Sequence, residues 1–201
     1  MKKIPLNEGR IKQKQKTRTV ILAAAKRLMK KSKRISLEDI AEEAEISRAT
    51  IYRYFSTVDL LILEASLDIH HLSVDEIKKE VDHLSMRDRI FFIQEHYNTL
   101  AQKNEIEFRR YMSAVLSESV TNKKKVRGAR RVASLKKSLE PFKKELSKKE
   151  YERLIHIATI LMGIDALLVS KDVCGLNNKD SSDLLHWGLD MILKGMKVEN
   201  L

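Results

Sequence analysis

The sequence contains few of the residues that break helices or form disulfides. Among its 201 residues are 6 Gly, 2 Pro and a single cysteine, Cys174, and aromatic residues make up only 5%. So little Gly and Pro argues for helices along nearly the whole chain. One cysteine excludes an internal disulfide and cannot build a zinc site alone, which fits a reducing compartment. A loop cysteine is ordinarily inert, so no redox role is assigned to it.

Long apolar runs are also absent. No stretch approaches the roughly 18 to 20 apolar residues that span a bilayer, and the N-terminus lacks the apolar segment of a signal peptide. We therefore expect a cytoplasmic protein that does not enter a membrane. The 6 histidines have no ligand-like spacing, and no nucleophile with its base and no Gly-rich loop is identifiable, so we expect no metal, no cofactor and no catalysis.

Positive charge is concentrated at the start of the chain. The net charge is +11, and residues 1–34 hold 13 Lys or Arg against one acid, so residues 35–201 are close to neutral. Such a run can simply keep a protein soluble. Because it adjoins the motif described next, it is better explained by a phosphate backbone, with Lys16 and Arg18 as candidate contacts.

Residues 36–55 have the pattern of two short helices joined by a tight turn. The first has an apolar stripe at helical spacing, formed by Leu37, Ile40, Ala41 and Ala44. Ser36 and Ser47 stand where the N-caps of the two helices belong. In the second helix Ile51 and Phe55 are one turn apart and predict an inward face. This is the layout of a helix-turn-helix whose second helix enters a DNA major groove.

Several short runs in and around residues 36–55 match the sequence pattern of one protein family, position by position. They are Ile40-Ala41, Ile46-Ser47, Thr50-Ile51-Tyr52, Tyr54-Phe55 and Asp59-Leu60-Leu61. With these residues the chain resembles the DNA-binding domain of the tetracycline-repressor-like (TetR) family of bacterial transcription regulators, over about residues 12–65. The chain departs from the family pattern in three places, the first being Lys31-Ser32-Lys33 where a glycine commonly ends the first helix. Glu45 replaces the usual turn glycine and predicts strain or a different turn, and Val58 replaces a lysine that contacts phosphate.

The outward residues of the second helix are the expected DNA readers. Base readout is expected from Arg48, Thr50 and Tyr52, with Arg53 as a further reader and Ala49 against a thymine methyl group. Phosphate contacts are expected from Ser36, Ser47, Tyr54 and Thr57. Hydrophobic support of a small core is the alternative role for the two tyrosines.

The resemblance implies an all-α protein with a three-helix DNA-binding domain and a larger helical domain for effector binding and dimerisation. The predicted segments are a flexible basic arm (1–15), a helix-turn-helix domain (16–57) and an effector and dimerisation domain (58–201). A helix from residue 58 to about 81 is predicted to join the two domains. The helices 150–171 and 180–195 are the pair that forms homodimers in the family. Their alternative role is to complete the core of a monomer.

A small-molecule effector of unknown identity is a further implication of the resemblance. Its pocket should lie among the helices between Ile90 and Leu168, apolar with a few polar groups. The residues predicted to line it are Phe92, His96, Tyr97, Tyr111 and His156. Each of them also fits an ordinary core or surface position.

We therefore expect a homodimeric regulator, in this family most often a repressor, that binds a near-palindromic operator in double-stranded DNA. Two other classes remain open. The basic N-terminal region fits a nonspecific polyanion or membrane-surface binder, which equal competition by unrelated DNA or anionic vesicles would favour. The C-terminal helices fit a small-molecule carrier or enzyme with a vestigial DNA motif, which intact DNA binding by an Arg48→Ala, Tyr52→Ala double mutant would favour.

Overall fold

The computed structural model of the protein is helical throughout, with no strand among the residues it describes, which are 6–31, 35–68, 71–122 and 129–196. The α-helices are α1 (Leu6–Lys31), α2 (Leu37–Glu43), α3 (Arg48–Tyr54), α4 (Val58–Asp68), α5 (Val74–Val81), α6 (Met86–Lys103), α7 (Glu105–Asn122), α8 (Arg130–Ser138), α9 (Lys148–Ile160), α10 (Ile164–Leu168) and α11 (Asn178–Gly195). A 3-10 turn (Glu140–Phe142) follows α8, and a π-helical turn (Val169–Val173) follows α10. The prediction of an all-α fold is confirmed.

The described residues form two compact units. The first takes its residues from 1–70 and 110–127, and the second takes its residues from 71–109 and 128–201. The first unit therefore contains α1 to α4 and most of α7, and within it α4 packs against α1. The predicted domain boundary between residues 57 and 58 stays a prediction.

The first unit has the three-helix core that the apolar pattern predicts. α1 packs against α2 as well as α4, and α2 packs against α3. The buried side chains of these helices include Ile21, Leu22, Ala24, Ala25, Leu37, Ile40, Ala41, Ile51, Phe55, Leu60 and Leu61. Burial of one such large aliphatic side chain contributes about 1.5–3 kcal/mol before the entropy cost of folding. This core determines the direction in which the short helix α3 presents its outer face.

The second unit is organised around α6 and α8. α8 packs against α5, α6 and α9, and α6 packs against α10 and α11. The core of the unit comprises Ile77, Met86, Ile90, Ile93, Tyr97, Leu135, Leu139, Tyr151, Leu154, Ile155, Ala158, Met162, Leu189 and Leu193. Buried Arg89 donates to the backbone carbonyls of Asp82 (2.6 Å) and Ser138 (2.8 Å), which joins the ends of α5 and α8.

The flexible arm predicted for residues 1–15 is wrong from Leu6 onward, because α1 begins there and continues to Lys31. Residues 1–5 lie outside the described residues. Residues 1–15 have no apolar stripe at helical spacing, and this absence is what favours an arm over a helix. An existing helix can be extended without an apolar stripe. Each added residue gains a backbone hydrogen bond at no new nucleation cost, and Glu, Lys, Arg and Gln all have good helix propensity.

The helix predicted from residue 58 to about 81 is two helices. α4 ends at Asp68 and α5 begins at Val74. Ser73 starts α5 with a full capping box, in which Ser73 Oγ accepts from the backbone N–H of Glu76 (3.2 Å) and Glu76 Oε2 accepts from the backbone N–H of Ser73 (2.7 Å). Ser73 and Glu76 have capping-box spacing, and this local signal overrides the apolar periodicity that suggested a continuous helix.

The helix predicted over residues 150–171 is also broken. α9 ends at Ile160, and Gly163 has a φ of 75°, which a continuous helix cannot contain. The backbone N–H of Gly163 donates to Asn98 Oδ1 at 2.7 Å, and Arg131 donates to the carbonyl of Thr159 at 3.2 Å. These two side chains satisfy backbone groups that the break exposes. The π-helical turn then carries the chain on to Val173.

No single helix in the described ranges is long and apolar enough to cross a membrane. α9 and the segment Ile164–Val173 meet the length and composition only as a pair, with a bend of 52° between them. The apolar residues Leu154, Ile155 and Ala158 of α9 lie in the core of the second unit.

Candidate nucleic-acid interface

Serine N-caps fix the starts of α2 and α3. Ser36 Oγ accepts from the backbone N–H of Asp39 (3.1 Å), and Asp39 Oδ2 accepts from the backbone N–H of Ser36 (2.8 Å), which completes a capping box. Ser47 Oγ accepts from the backbone N–H of Thr50 at 3.2 Å. Each cap satisfies donors that the first turn of a helix leaves without partners, a contribution of about 1 kcal/mol. The start of α3 is therefore set by local interactions.

The turn between α2 and α3 contains Glu45 in place of a glycine. Its φ is 53°, in the left-handed region. The backbone N–H of Glu45 donates to the carbonyl of Glu42 at 3.0 Å, and the backbone N–H of Ile46 donates to the carbonyl of Ala41 at 3.0 Å. These are the two bonds of a Schellman motif. The turn thus keeps the geometry that glycine would give. Of the two predicted alternatives, strain or a different turn, the backbone angle of Glu45 is the strained one, at a cost of roughly 1–2 kcal/mol.

Glu45→Gly is expected to raise the free energy of unfolding by about 0.5–1 kcal/mol, because the relief of left-handed strain exceeds the added freedom of glycine in the unfolded chain. Glu45 is exposed, so no core contact is lost. Urea unfolding followed by circular dichroism measures the change. The matched control is Glu42→Gly, at an exposed position within α2. It should lower the free energy of unfolding by about 1 kcal/mol. Lower stability in both variants contradicts the strained turn.

α3 has a buried face and an exposed face, as its sequence predicts. Ile51 and Phe55 are buried, with 0% and 1% of their surface exposed. The exposed side chains are those of Arg48, Ala49, Tyr52 and Arg53. Thr50 is half-buried, and its Oγ1 lies 2.9 Å from Ser47 Oγ. Two guanidinium groups, a methyl group and a phenol therefore face outward from one turn and a half of helix.

Glu38 of α2 lies beside this exposed face, although it is absent from the predicted site residues. The hydroxyl of Tyr52 donates to Glu38 Oε1 at 2.8 Å. This hydrogen bond, aided by the positive charge of Arg48, lowers the pKa of Glu38, and it raises the pKa of Tyr52. Glu38 is thus a carboxylate that orients Tyr52 and can accept from cytosine N4. No sequence signal pairs positions 38 and 52, because their contact forms across the turn.

The residues predicted to contact phosphate lie at helix ends. Ser36 Oγ donates to Asp39 Oδ2 at 2.7 Å, so a bond to phosphate requires that this contact open. Thr57 Oγ1 accepts from the backbone N–H of Leu60 at 3.2 Å, at the start of α4. The guanidinium carbon of Arg53 lies 5.7 Å from the ring centre of half-buried Tyr54. The phosphate roles of these residues stay predictions.

Arg18 lies inside the first unit and not on a phosphate-facing surface, which corrects its expected role. Its Nε donates to Glu64 Oε1 at 2.7 Å, and its Nη2 donates to Glu64 Oε2. Its guanidinium carbon lies 4.5 Å from the ring centre of Phe55. Burial acts to lower the pKa of Arg18, and the facing charge and hydrogen bonds of Glu64 outweigh it, so that the pKa is raised. Arg18 therefore remains charged within an internal ion pair.

The residues predicted to line an effector pocket have different surroundings. Tyr111 belongs to the first unit, and Phe92, His96, Tyr97 and His156 belong to the second. The rings of His96 and Tyr97 lie 5.2 Å apart, edge to face, and the Tyr97 hydroxyl lies 2.9 Å from Ser134 Oγ. Desolvation lowers the pKa of His96. Phe92 is half-buried, whereas His156 is exposed. His96 and Tyr97 are therefore brought together, and the ligand role of all five stays a prediction.

Metal-ligating side chains are scattered over the helices. Within the described ranges no three His, Cys, Asp or Glu side chains are arranged to hold a metal ion. Cys174 is exposed at the end of the π-helical turn. The exposed face of α3 thus stays the principal candidate site.

Comparison with known proteins gives one match. The family described as "Bacterial regulatory proteins, tetR family" matches residues 21–65. That span begins within α1, ends within α4 and includes all of α2, α3 and the turn between them. Neither a curated protein nor a solved structure matches the chain. Residues 21–65 therefore match the helix-turn-helix region of the tetR family of bacterial regulatory proteins.

Proposed function

We propose that this protein is a homodimeric transcriptional repressor of the cytoplasm that binds a near-palindromic operator and is released by a small-molecule effector. It acts by binding, without catalysis. The observation that carries the proposal is the exposed face of α3, where Arg48, Ala49 and Tyr52 stand together on a capped helix.

The chemistry of this face fits a major groove. A guanidinium group can donate two hydrogen bonds to guanine O6 and N7, and a methyl group such as that of Ala49 packs against thymine. Tyr52 is 48% exposed, and its hydroxyl is directed to Glu38. The contact holds the phenol in one orientation before DNA arrives, so less side-chain freedom is lost on binding.

A dimer is supported by the outer face of α11. Leu185, Leu189 and Leu193 of this helix are buried in the second unit. The opposite side of α11 exposes large apolar side chains spaced three and four residues apart, namely Leu184, Trp187 and Met191. A Cβ atom at Gly188, beside this stripe, would meet nothing within 4 Å, so packing inside the protomer does not require a glycine there.

Further large apolar side chains are exposed outside α11. Ile160, Val169 and Val173, at the end of α9 and in the π-helical turn, are each more than half exposed. Exposed apolar side chains grouped on one face mark places where another protein surface binds. Burial against the same face of a second copy explains why α11, which already contributes to the core, carries a second apolar side.

His96 in the second unit supports control by a small molecule. In the second unit His96 Nε2 is shielded from solvent and has no hydrogen-bond partner among the described residues. Such a nitrogen costs free energy until a ligand or water bonds to it, which makes His96 a reasonable polar contact for an effector. An effector that prefers a dimer with another spacing of its α3 helices weakens operator binding by its differential affinity.

Selection of bound sequences from random duplex DNA tests the proposal. The full-length protein should enrich an inverted repeat whose half-sites are one helical turn apart, about 34 Å, because a two-fold dimer places its recognition helices in successive major grooves. Near-physiological salt suppresses nonspecific binding, so enrichment reports base readout.

The competing classes give other results in the same assay. Equal competition by unrelated duplex or by anionic vesicles indicates a polyanion or membrane-surface binder. Absence of any enriched sequence, with no DNA retained at moderate salt, indicates a carrier or enzyme with a vestigial motif. Either result contradicts the proposed repressor.

A further inference from the structure

A charged group is buried directly behind the recognition helix. The side chains of Arg18 (α1) and Glu64 (α4) are only 18% and 12% exposed, and they meet through two hydrogen bonds. The guanidinium of Arg18 packs 4.5 Å from the ring centre of Phe55, the C-cap residue of α3. A planar cation over an aromatic ring at this distance is attractive. The end of α3 therefore rests on an ion pair formed by two other helices.

A third helix contributes to the same pair. The hydroxyl of Tyr111 (α7), a buried residue, donates to Glu64 Oε2 at 3.2 Å. The part of α7 from residue 110 onward belongs to the first compact unit together with α1 to α4. The Glu64 carboxylate thus accepts hydrogen bonds from both α1 and α7.

The costs of this arrangement indicate a positional role. Apolar residues of similar volume often stabilise a protein as well as a buried ion pair does, because two charges must be taken out of water. What the ion pair adds is direction, since a bidentate arginine to carboxylate contact is planar and fixes both partners. A third hydrogen bond from Tyr111 removes the remaining freedom of the carboxylate.

We propose that Arg18, Glu64 and Tyr111 form a positioning triad that sets the recognition helix α3 through Phe55 and makes operator affinity depend on α7. The triad rests on the proposed DNA-binding function, and none of its three residues is proposed to touch DNA. Loss of the Tyr111 hydroxyl leaves both charges paired and lets the ion pair shift as a unit, because its hydrogen bond to α7 is gone. α3 then samples more orientations, and binding that needs one orientation weakens.

Tyr111→Phe is the test variant, and Tyr151→Phe is its matched control. Each variant removes the hydroxyl of a buried tyrosine. The hydroxyl of Tyr111 donates to Glu64, whereas that of Tyr151, in the second unit, donates to the carbonyl of Lys136. The probes are a fluorescein-labelled duplex of the enriched operator and an unrelated duplex of equal length. Anisotropy titrations at several salt concentrations give the Kd values, and thermal melts report stability.

Tyr111→Phe should weaken operator binding at least about 5-fold, the lower end of typical coupling between sites, and leave the affinity for unrelated DNA and the salt dependence unchanged. Tyr151→Phe should stay within about 2-fold of the wild-type Kd for both duplexes, even if both variants melt earlier. In a protein that already carries Glu64→Gln, adding Tyr111→Phe should leave the operator Kd unchanged. The effects of two interacting residues are not additive, so the second substitution has no further contact to remove.

Three outcomes overturn the triad. If Tyr111→Phe binds the operator as tightly as the wild-type protein, or more tightly, the hydrogen bond from α7 does not position α3 for DNA binding. Equal weakening of operator binding by Tyr151→Phe reduces the effect to a general loss of stability. A wild-type protein that enriches no operator overturns the proposed function and the triad together, whereas wild-type binding with an unaffected Tyr111→Phe overturns the triad alone.

Discussion

Trp187→Glu combined with Met191→Glu is expected to separate the dimer into monomers and to weaken operator binding at least about 100-fold, which corresponds to roughly 2.8 kcal/mol. Trp187 is 61% exposed and Met191 is 50% exposed on the side of α11 that faces away from the core. In a two-fold dimer each residue lies against the same surface of the partner, so the double substitution places four carboxylates in one apolar interface. Unpaired charges there are strongly unfavourable.

The loss of DNA affinity follows from geometry. A dimer places two recognition helices on one duplex, and a monomer retains the contacts of a single half-site. The second half-site in a dimer binds as an intramolecular event, so its contribution disappears when the subunits part. Folding of each protomer should be unaffected, because the core side of α11 is built by Leu185, Leu189 and Leu193.

Light scattering coupled to gel filtration gives the mass, and anisotropy with the operator duplex gives the Kd. Ile106→Glu is the matched control, since Ile106 is a comparably exposed apolar residue (64%) on α7. It should remain dimeric and bind normally. Monomeric wild-type protein, or a double variant that stays dimeric, would show that the α11 face is not the interface.

The helix-turn-helix could be predicted from sequence because its signals are local. Ser36 and Ser47 cap their helices through backbone groups three residues away, and the periodicity of α2 and α3 directly gives their buried sides. The missing turn glycine at Glu45 predicts either strain or a different turn, and the positive φ in the structure is the strained alternative. Within such short spans, spacing along the chain determines spacing in space.

The features that escaped prediction depend on contacts between distant residues. Tyr52 is hydrogen-bonded to Glu38, 14 positions away, and Arg18 is hydrogen-bonded to Glu64, 46 positions away. No sequence periodicity relates residues at such separations. Charge placement alone therefore assigned Arg18 to phosphate, whereas packing pairs it with a carboxylate. The break at Gly163 also depends on a distant residue. The backbone N–H of Gly163 donates to the side chain of Asn98, 65 positions away, and this bond satisfies a donor that the break leaves without a helical partner.

Arg48→Ala is expected to weaken operator binding roughly 5- to 150-fold, corresponding to 1–3 kcal/mol for one bidentate base contact. Arg48 is exposed in the first turn of α3, and its substitution removes no core contact. Its positive charge also favours ionised Glu38, so the variant leaves that carboxylate without a nearby counter-charge as DNA approaches. Both effects weaken the complex, and only the first distinguishes one base from another.

Lys16→Ala separates these contributions, because exposed Lys16 of α1 removes one positive charge without removing a base reader. It should weaken operator and unrelated duplex alike and lower the slope of log K against log salt by about 1, as expected for one phosphate contact. Arg48→Ala should act mainly on the operator and relax the selected sequence at one position of each half-site. If Arg48→Ala and the Arg48→Ala, Tyr52→Ala double variant both retain the wild-type Kd and the wild-type selected sequence, α3 does not read DNA and the helix-turn-helix has no part in binding.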